Sequence, residues 1–120
     1  KARQNAADYY DKALKDCCNI QIPHRATNSR HIFHQYTLIL KETNRDDFQK
    51  YLSSKGIPTM VYYPVPLHLQ KAFTNHDYKA GDFPVTEFLC RNVLSLPMHT
   101  ELNEEQLKYI TDSIIQYFNH

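Results

Sequence analysis

The side chains best suited to chemistry lie close together between residues 62 and 68. Two adjacent phenols, Tyr62 and Tyr63, precede a proline-rich turn, and the imidazole of His68 follows it. Phenols and a neutral imidazole donate hydrogen bonds, so this group suits an anionic or sugar-like ligand. Each such bond contributes roughly 1 kcal/mol in net terms, and more to a charged group. Ordinary packing explains either tyrosine, taken alone, equally well.

The remaining histidines and the cysteines give weaker signals. His31 and His34 are three apart in a predicted strand and therefore lie on opposite faces, so we expect one partly buried and one exposed side chain rather than metal ligands. His99 follows a strand end and suits a site residue or a solvated loop equally well. The odd number of cysteines suits neither a disulfide framework nor a zinc ribbon, so we expect reduced thiols. The cysteines are Cys17, Cys18 and Cys90.

Composition excludes several classes of function. The 120 residues carry a net charge of only +1, and acidic and basic residues are interspersed. The sequence therefore predicts no basic surface that would bind nucleic acid or an anionic membrane. The longest apolar runs are too short to cross a bilayer, so we expect a soluble, cytoplasmic protein. With only Gly56 and Gly81 available, a glycine-rich phosphate loop cannot form. The first residue is Lys1, and we expect the chain to be a piece of something longer.

The segment Gly56–Gln70 is the one that positions the phenols. It begins with a helix-stopping glycine, continues as a short strand, and ends at two prolines that prevent further sheet pairing. A strand that stops in this way delivers its last side chains, Tyr62 and Tyr63, to a sheet edge. One helical turn is predicted within residues 67–73, followed by a loop over 74–83 with a turn at Gly81.

Periodicity predicts the supporting elements in the order helix, strand, helix, strand, short helix, strand, helix. The predicted helices cover residues 1–18, 43–56 and 103–118, and a shorter helix begins at Pro84 and buries Phe88, Leu89 and Cys90. Besides the strand after Gly56, the predicted strands cover residues 31–40 and 92–96, and residues 20–29 are predicted to form a loop. The central strand alternates, with Ile32, His34, Tyr36, Leu38 and Leu40 on one side and Phe33, Gln35, Thr37 and Ile39 on the other. The fold class is α+β: a small, mostly antiparallel three-stranded sheet with helices packed on one face.

Several short motifs, in order, resemble one enzyme family over nearly the whole chain. The runs Gly56–Phe73, Gly81–Pro84 and Ser95–His99, with His34–Thr37 and Arg45–Asp46, are similar to the C-terminal small domain of the DegT/DnrJ/StrS group of nucleotide-sugar aminotransferases. The resemblance implies a fold-type I enzyme that depends on pyridoxal phosphate. Its large N-terminal domain would carry the cofactor and the Schiff-base lysine. Residues 1–120 would then be a single domain, with residues 1–18 as the inter-domain helix.

The resemblance also implies a reaction and partners. The whole protein would transfer an amino group, usually from glutamate, to a keto-sugar linked to a nucleoside diphosphate, and would act as a homodimer. None of the lysines matches the family's catalytic motif, so this chain alone would be inactive and would bind no cofactor. Some members of the family were first described as regulators, so a non-catalytic regulatory or protein-interaction module is the alternative.

At the site, the resemblance extends to three residues. The family's usual His-Tyr-Pro near the substrate diphosphate is Tyr62-Tyr63-Pro64 here, so Tyr63 matches and a phenol replaces the imidazole at Tyr62. A phenol still donates one hydrogen bond but cannot become a cation. His68 matches a family histidine whose role is substrate-binding or structural.

Overall fold

Helices and one three-stranded sheet make up residues 1–73 and 77–119, the part of the chain that the computed structural model describes. The helices are α1 (Ala2–Leu14), α2 (Arg45–Ser54), α3 (Pro84–Asn92) and α4 (Glu104–Phe118), and the strands are β1 (Ile20–Gln21), β2 (Tyr36–Leu40) and β3 (Val93–Leu96). Two 3₁₀ turns, Leu67–Leu69 and Lys71–Phe73, lie between α2 and α3. The strand order is β1-β2-β3 and both pairs are antiparallel, which confirms the predicted α+β class.

The central strand β2 supplies one face of the core. Tyr36 and Leu38 are fully buried and pair with Leu96 and Leu94 of β3. These side chains share one face of the sheet because strand side chains alternate. The three long helices cover that face with Ala6, Ala7, Tyr10, Leu14, Phe48, Leu52, Leu107, Ile110 and Ile114.

The third strand of the sheet is not the predicted one. Ile20–Gln21, expected to be a loop, pairs with the end of β2, whereas the segment after Gly56 contributes only an isolated bridge between Met60 and Ser95. Pro58 and Pro64 flank that segment and lack the N–H that a ladder needs, so pairing stops after one residue. The prediction of a strand ending at the tyrosines was therefore wrong in extent, although Met60 does pair at the open edge of β3.

The central strand begins at Tyr36 rather than at residue 31. Phe33 has a φ of 49°, in the left-handed region, which interrupts the extended backbone. As a result Phe33 turns into the core and is 2% exposed, while Ile32 is 73% exposed. The predicted alternation placed Ile32 on the same side as Tyr36 and Phe33 on the other side. Both placements were wrong, and the alternation holds only from Tyr36 onward.

An ionic network joins α1 to the segment before β2. The guanidinium of Arg25 pairs with Asp8 and Asp11, with both N–O distances 2.7 Å, and lies 4.7 Å from the centroid of the Phe33 ring. The hydroxyl of Tyr36 donates to Asp11 at 2.6 Å. Burial raises the pKa of Tyr36 and the hydrogen bond with Asp11 acts in the same direction, so the phenol remains a protonated donor.

The helix ends follow from local side chains. The sequence predicts either Thr43 or Asn44 as the cap of α2, and Asn44 caps it by accepting from the backbone of Asp46 and Asp47. The run Asn103–Gln106 predicts a capping box at the start of α4, and Asn103 forms it with Gln106. Helix α1 stops at Leu14, four residues before its predicted end, and residues 74–76 of the predicted loop lie outside the described residues. No helix in the described residues is long and apolar enough to span a membrane.

Replacing the α4 cap gives a direct test of this assignment. Asn103→Ala removes the acceptor for the backbone N–H of Gln106, and we expect a loss of about 1 kcal/mol in the free energy of unfolding. Urea unfolding of the two proteins measures the difference. Asn103→Asp keeps a capping oxygen and is the control; an equal loss in both variants would mean that the cap does not stabilise the helix.

Helix α3 fully buries none of the three residues predicted to face inward. Its one buried side chain is Glu87, whereas Phe88 is 45% exposed and Leu89 and Cys90 are only half-buried. An apolar pattern selects the inward face only when that face meets the core, and α3 contributes no residue to the core cluster. Its inward face meets polar partners instead.

Candidate functional site

The two predicted phenols follow the Met60–Ser95 bridge at the edge of β3. Tyr62 is 38% exposed and Tyr63 is 71% exposed, and their rings meet edge to face with centroids 5.8 Å apart. The peptide bond between them is cis. Neither hydroxyl has a hydrogen-bond partner among the described residues. The hydroxyls of Tyr10 and Tyr36, by contrast, donate hydrogen bonds within the fold. Both phenols are therefore free to bind a ligand.

The phenols line an open cleft of about 580 Å³, which we call the tyrosine cleft. Its walls are Tyr62, Tyr63, Val65, Pro66, Leu67, Gln70, Thr86, Leu89, Cys90 and Val93. None of these lining residues is a lysine, arginine, aspartate or glutamate. The cleft thus combines apolar walls with neutral hydrogen-bonding groups, an arrangement that can orient a polar ligand without a charged side chain among the residues that line it.

His68 lies behind the wall of the cleft rather than in it. Its Nε2 donates to a carboxylate oxygen of Glu87 at 3.1 Å, and the two side chains are only 7% and 10% exposed. Its ring also packs edge to face on Phe83, with centroids 4.8 Å apart. The sequence left the role of His68 open between substrate binding and structure, and these contacts favour structure.

Glu87 is the partner that sequence reasoning missed. The same carboxylate oxygen accepts from the backbone N–H of Gly81 at 2.7 Å. That bond, together with the one from His68, lowers the pKa of Glu87 against the opposing effect of burial. The feature of the sequence that could have indicated its role is a carboxylate on the inward side of a short helix, where a helical pattern alone predicts an apolar residue.

The lowered pKa of Glu87 predicts a pH dependence of stability. A carboxyl whose pKa is lower in the folded state stabilises the fold above its unfolded pKa of about 4.3, and this stabilisation is lost as the pH falls through the folded value. We expect urea unfolding between about pH 5 and pH 3 to show a steeper loss in the wild type than in Glu87→Gln. The amide keeps an acceptor for Gly81 but does not titrate, so parallel curves would contradict the prediction.

The candidate histidines other than His68 lie away from this cleft, whereas Cys90 is one of its lining residues. His31 and His34 are both exposed, so the expectation that one would be partly buried was wrong: the chain turns at Phe33 between them. His99 is an exposed loop residue whose Nδ1 accepts from the backbone of Glu101. The three cysteines are unpaired, and no group of three or more metal-ligating side chains occurs within residues 1–73 and 77–119.

Comparison with known proteins decides the family. The model of the DegT/DnrJ/EryC1/StrS aminotransferase family matches residues 1–115. The chain belongs to this family. Like the resemblance read from the motifs, the match extends over nearly the whole sequence.

Individual DegT/DnrJ/EryC1/StrS relatives agree with this assignment. The chain is 40% identical to a pleiotropic regulatory protein of Geobacillus stearothermophilus, over 98% of the chain and 32% of that protein. It is 38% identical to the UDP-N-acetyl-3-dehydro-alpha-D-glucosamine 3-aminotransferase of Acidithiobacillus ferrooxidans, over 93% of the chain and 29% of that enzyme. A solved DegT DnrJ EryC1 StrS aminotransferase from Brucella abortus superimposes with a TM-score of 0.87 and 35% identity, over 99% of the chain and 31% of that structure. The chain thus spans about a third of the length of its relatives.

The tyrosine cleft of this DegT/DnrJ/EryC1/StrS chain does not fit pyridoxal phosphate. That cofactor requires a lysine amine for its Schiff base and a carboxylate or arginine beside its ring nitrogen. Lysine and ionisable partners of this kind are absent from the ten residues that line the cleft. The cleft can therefore contact a substrate but cannot hold the cofactor itself.

Proposed function

We propose that this chain is the C-terminal small domain of an aminotransferase that depends on pyridoxal phosphate. The whole protein would move an amino group from an amino acid, with glutamate as the expected donor, to a keto-sugar linked to a nucleotide. The observation that carries the proposal is the family match over residues 1–115. The substrate class is supported by the 38% identity to an enzyme named for a UDP-linked 3-dehydro sugar.

In this proposal the chain supplies substrate contacts and no chemistry. The cofactor and its lysine belong to a large N-terminal domain of the same polypeptide, and the chain alone has no turnover. Tyr62 and Tyr63 donate hydrogen bonds from the tyrosine cleft to the nucleotide-sugar, while His68 holds the wall of that cleft. Residues 1–18, which contain α1, form the connection between the two domains. We also expect a cytoplasmic homodimer, as is usual in the family.

Half-reactions of the full-length protein test the proposal. The protein is loaded with pyridoxal phosphate and mixed with glutamate, and formation of 2-oxoglutarate is measured; UDP-N-acetyl-3-dehydro-glucosamine is then added and the aminated sugar is detected by mass spectrometry. We expect both products. A folded full-length protein with no cofactor absorbance and no 2-oxoglutarate would refute the assignment. The 120-residue chain, assayed alone, is expected to form neither product.

A regulatory role is the second candidate, because the relative from Geobacillus stearothermophilus carries that name. The nearly neutral charge of the chain gives no basis for contact with nucleic acid, so a titration with generic DNA at low salt is expected to show no binding. Binding of DNA or of another protein by a full-length protein without turnover would favour the regulatory role.

A further inference from the structure

Two cavities meet at the buried pair formed by His68 and Glu87. The tyrosine cleft lies on one side, and a second cavity of about 380 Å³ on the other. Leu67 and Thr86 line both cavities, and they directly precede His68 and Glu87 in the sequence. The hydrogen bond between the imidazole and the carboxylate therefore connects two segments that line the cleft, the 3₁₀ turn after Tyr62 and Tyr63 and helix α3.

The apolar core does little to hold these walls. Among the described residues, none between 62 and 92 belongs to the core cluster. In α3 the usual burial is inverted, since Glu87 lies inside while Val85 is 70% exposed. Polar contacts thus fix the helix: the guanidinium of Arg45 donates to the carbonyl of Cys90 near its C-terminal end, and Glu87 anchors the other half.

Glu87 anchors three segments with one carboxylate. It lies in α3, accepts from His68 in the first 3₁₀ turn, and accepts from the backbone of Gly81 in the turn before the helix. Bonds to an ionised carboxylate are shorter and stronger than bonds between neutral groups. A single side chain that joins three otherwise loosely packed segments sets their separation.

We propose that Glu87, acting with His68, is a positioning residue that sets the width of the tyrosine cleft for the nucleotide-sugar. This inference rests on the proposed function and assigns to the pair a role in substrate affinity. Neither side chain lines the cleft in contact with Tyr62 or Tyr63; the pair acts through Leu67 and Thr86, which do line it.

The test compares half-reactions in variants of the full-length protein. For Glu87→Ala we expect a roughly tenfold or greater rise in KM for UDP-N-acetyl-3-dehydro-glucosamine, with the glutamate half-reaction unchanged. Glu87→Gln keeps an amide oxygen where the wild-type oxygen accepts from both Gly81 and His68, so it should restore KM to within about threefold of the wild type. His68→Ala should match Glu87→Ala, and the double variant should be no worse than either single variant. Val85→Ala, an exposed change on the same helix, is the matched control.

Each result decides the inference. An unchanged KM in Glu87→Ala, an equal loss in both half-reactions, or a Glu87→Gln as impaired as Glu87→Ala would overturn it. A wild type that performs neither half-reaction would refute the proposed function instead. Hydrogen exchange then tests the positioning on its own: amides of residues 62–70 and α3 should exchange faster in Glu87→Ala and slow again in Glu87→Gln, with α1 unaffected; equal exchange rates would overturn it.

Discussion

Phe48→Ala is expected to lower the free energy of unfolding by roughly 3–5 kcal/mol. Phe48 is fully buried, and its ring contacts those of Tyr117 and Phe118 with centroids 4.8 and 5.1 Å away. Truncation removes the transfer energy of the ring and leaves a cavity where α2 meets α4. Because domains of this size are stable by only about 5–15 kcal/mol, this one change removes a large part of the total.

Chemical unfolding by guanidinium, followed by circular dichroism, measures this loss. Ile32→Ala is the control, since Ile32 is 73% exposed and its truncation should change stability by no more than about 0.5 kcal/mol. A loss below about 1 kcal/mol for Phe48→Ala would contradict a core built between α2 and α4.

Removing the hydroxyls of the tyrosine cleft is expected to have the largest effect on function. In the full-length protein, Tyr62→Phe and Tyr63→Phe each delete a donor that is unpaired within the described residues and keep the ring. If the hydroxyl binds a charged oxygen of the nucleotide-sugar, its loss costs about 1.5–3 kcal/mol, equivalent to a roughly 10- to 150-fold loss in kcat/KM for that substrate. The amino-donor half-reaction should remain unchanged, because the cleft does not fit the cofactor.

Steady-state kinetics with each substrate varied in turn separates the two half-reactions. Tyr78→Phe is the matched control: Tyr78 is 58% exposed and lies outside the tyrosine cleft. An equal loss in Tyr78→Phe, or no loss in either cleft variant, would contradict the role assigned to Tyr62 and Tyr63.

The sequence correctly predicts those elements for which the local sequence signal agrees with the burial of the side chains in the fold. Asn44 and Asn103 cap helices as expected because a capping side chain bonds only to the first turn beside it. Alternation from Tyr36 to Leu40 correctly placed the central strand because one of its faces meets the core. In these places the energetics are local or set by simple periodicity.

The predictions from sequence fail where a residue distant along the chain determines the local structure. A two-residue strand such as Ile20–Gln21 is too short for any pattern and forms only because β2 offers an edge. The reversal at Phe33 depends on a left-handed backbone and on contact with the Arg25 guanidinium, and neither is visible in the sequence. The burial of Glu87 depends on His68 and on a turn at Gly81, so the motif predicts the candidate site residues, whereas only the structure shows the residues that support them.

Hydrogen exchange of the full-length protein, with and without a nucleotide-sugar, tests the central claim most directly. UDP-N-acetylglucosamine and dTDP-glucose serve in turn as the probe, each at saturating concentration. The account predicts slower exchange in residues 61–70 and in the first turns of α3, the two walls that carry and face Tyr62 and Tyr63. Binding that slows exchange only elsewhere in the protein, and leaves both walls unchanged, would contradict it.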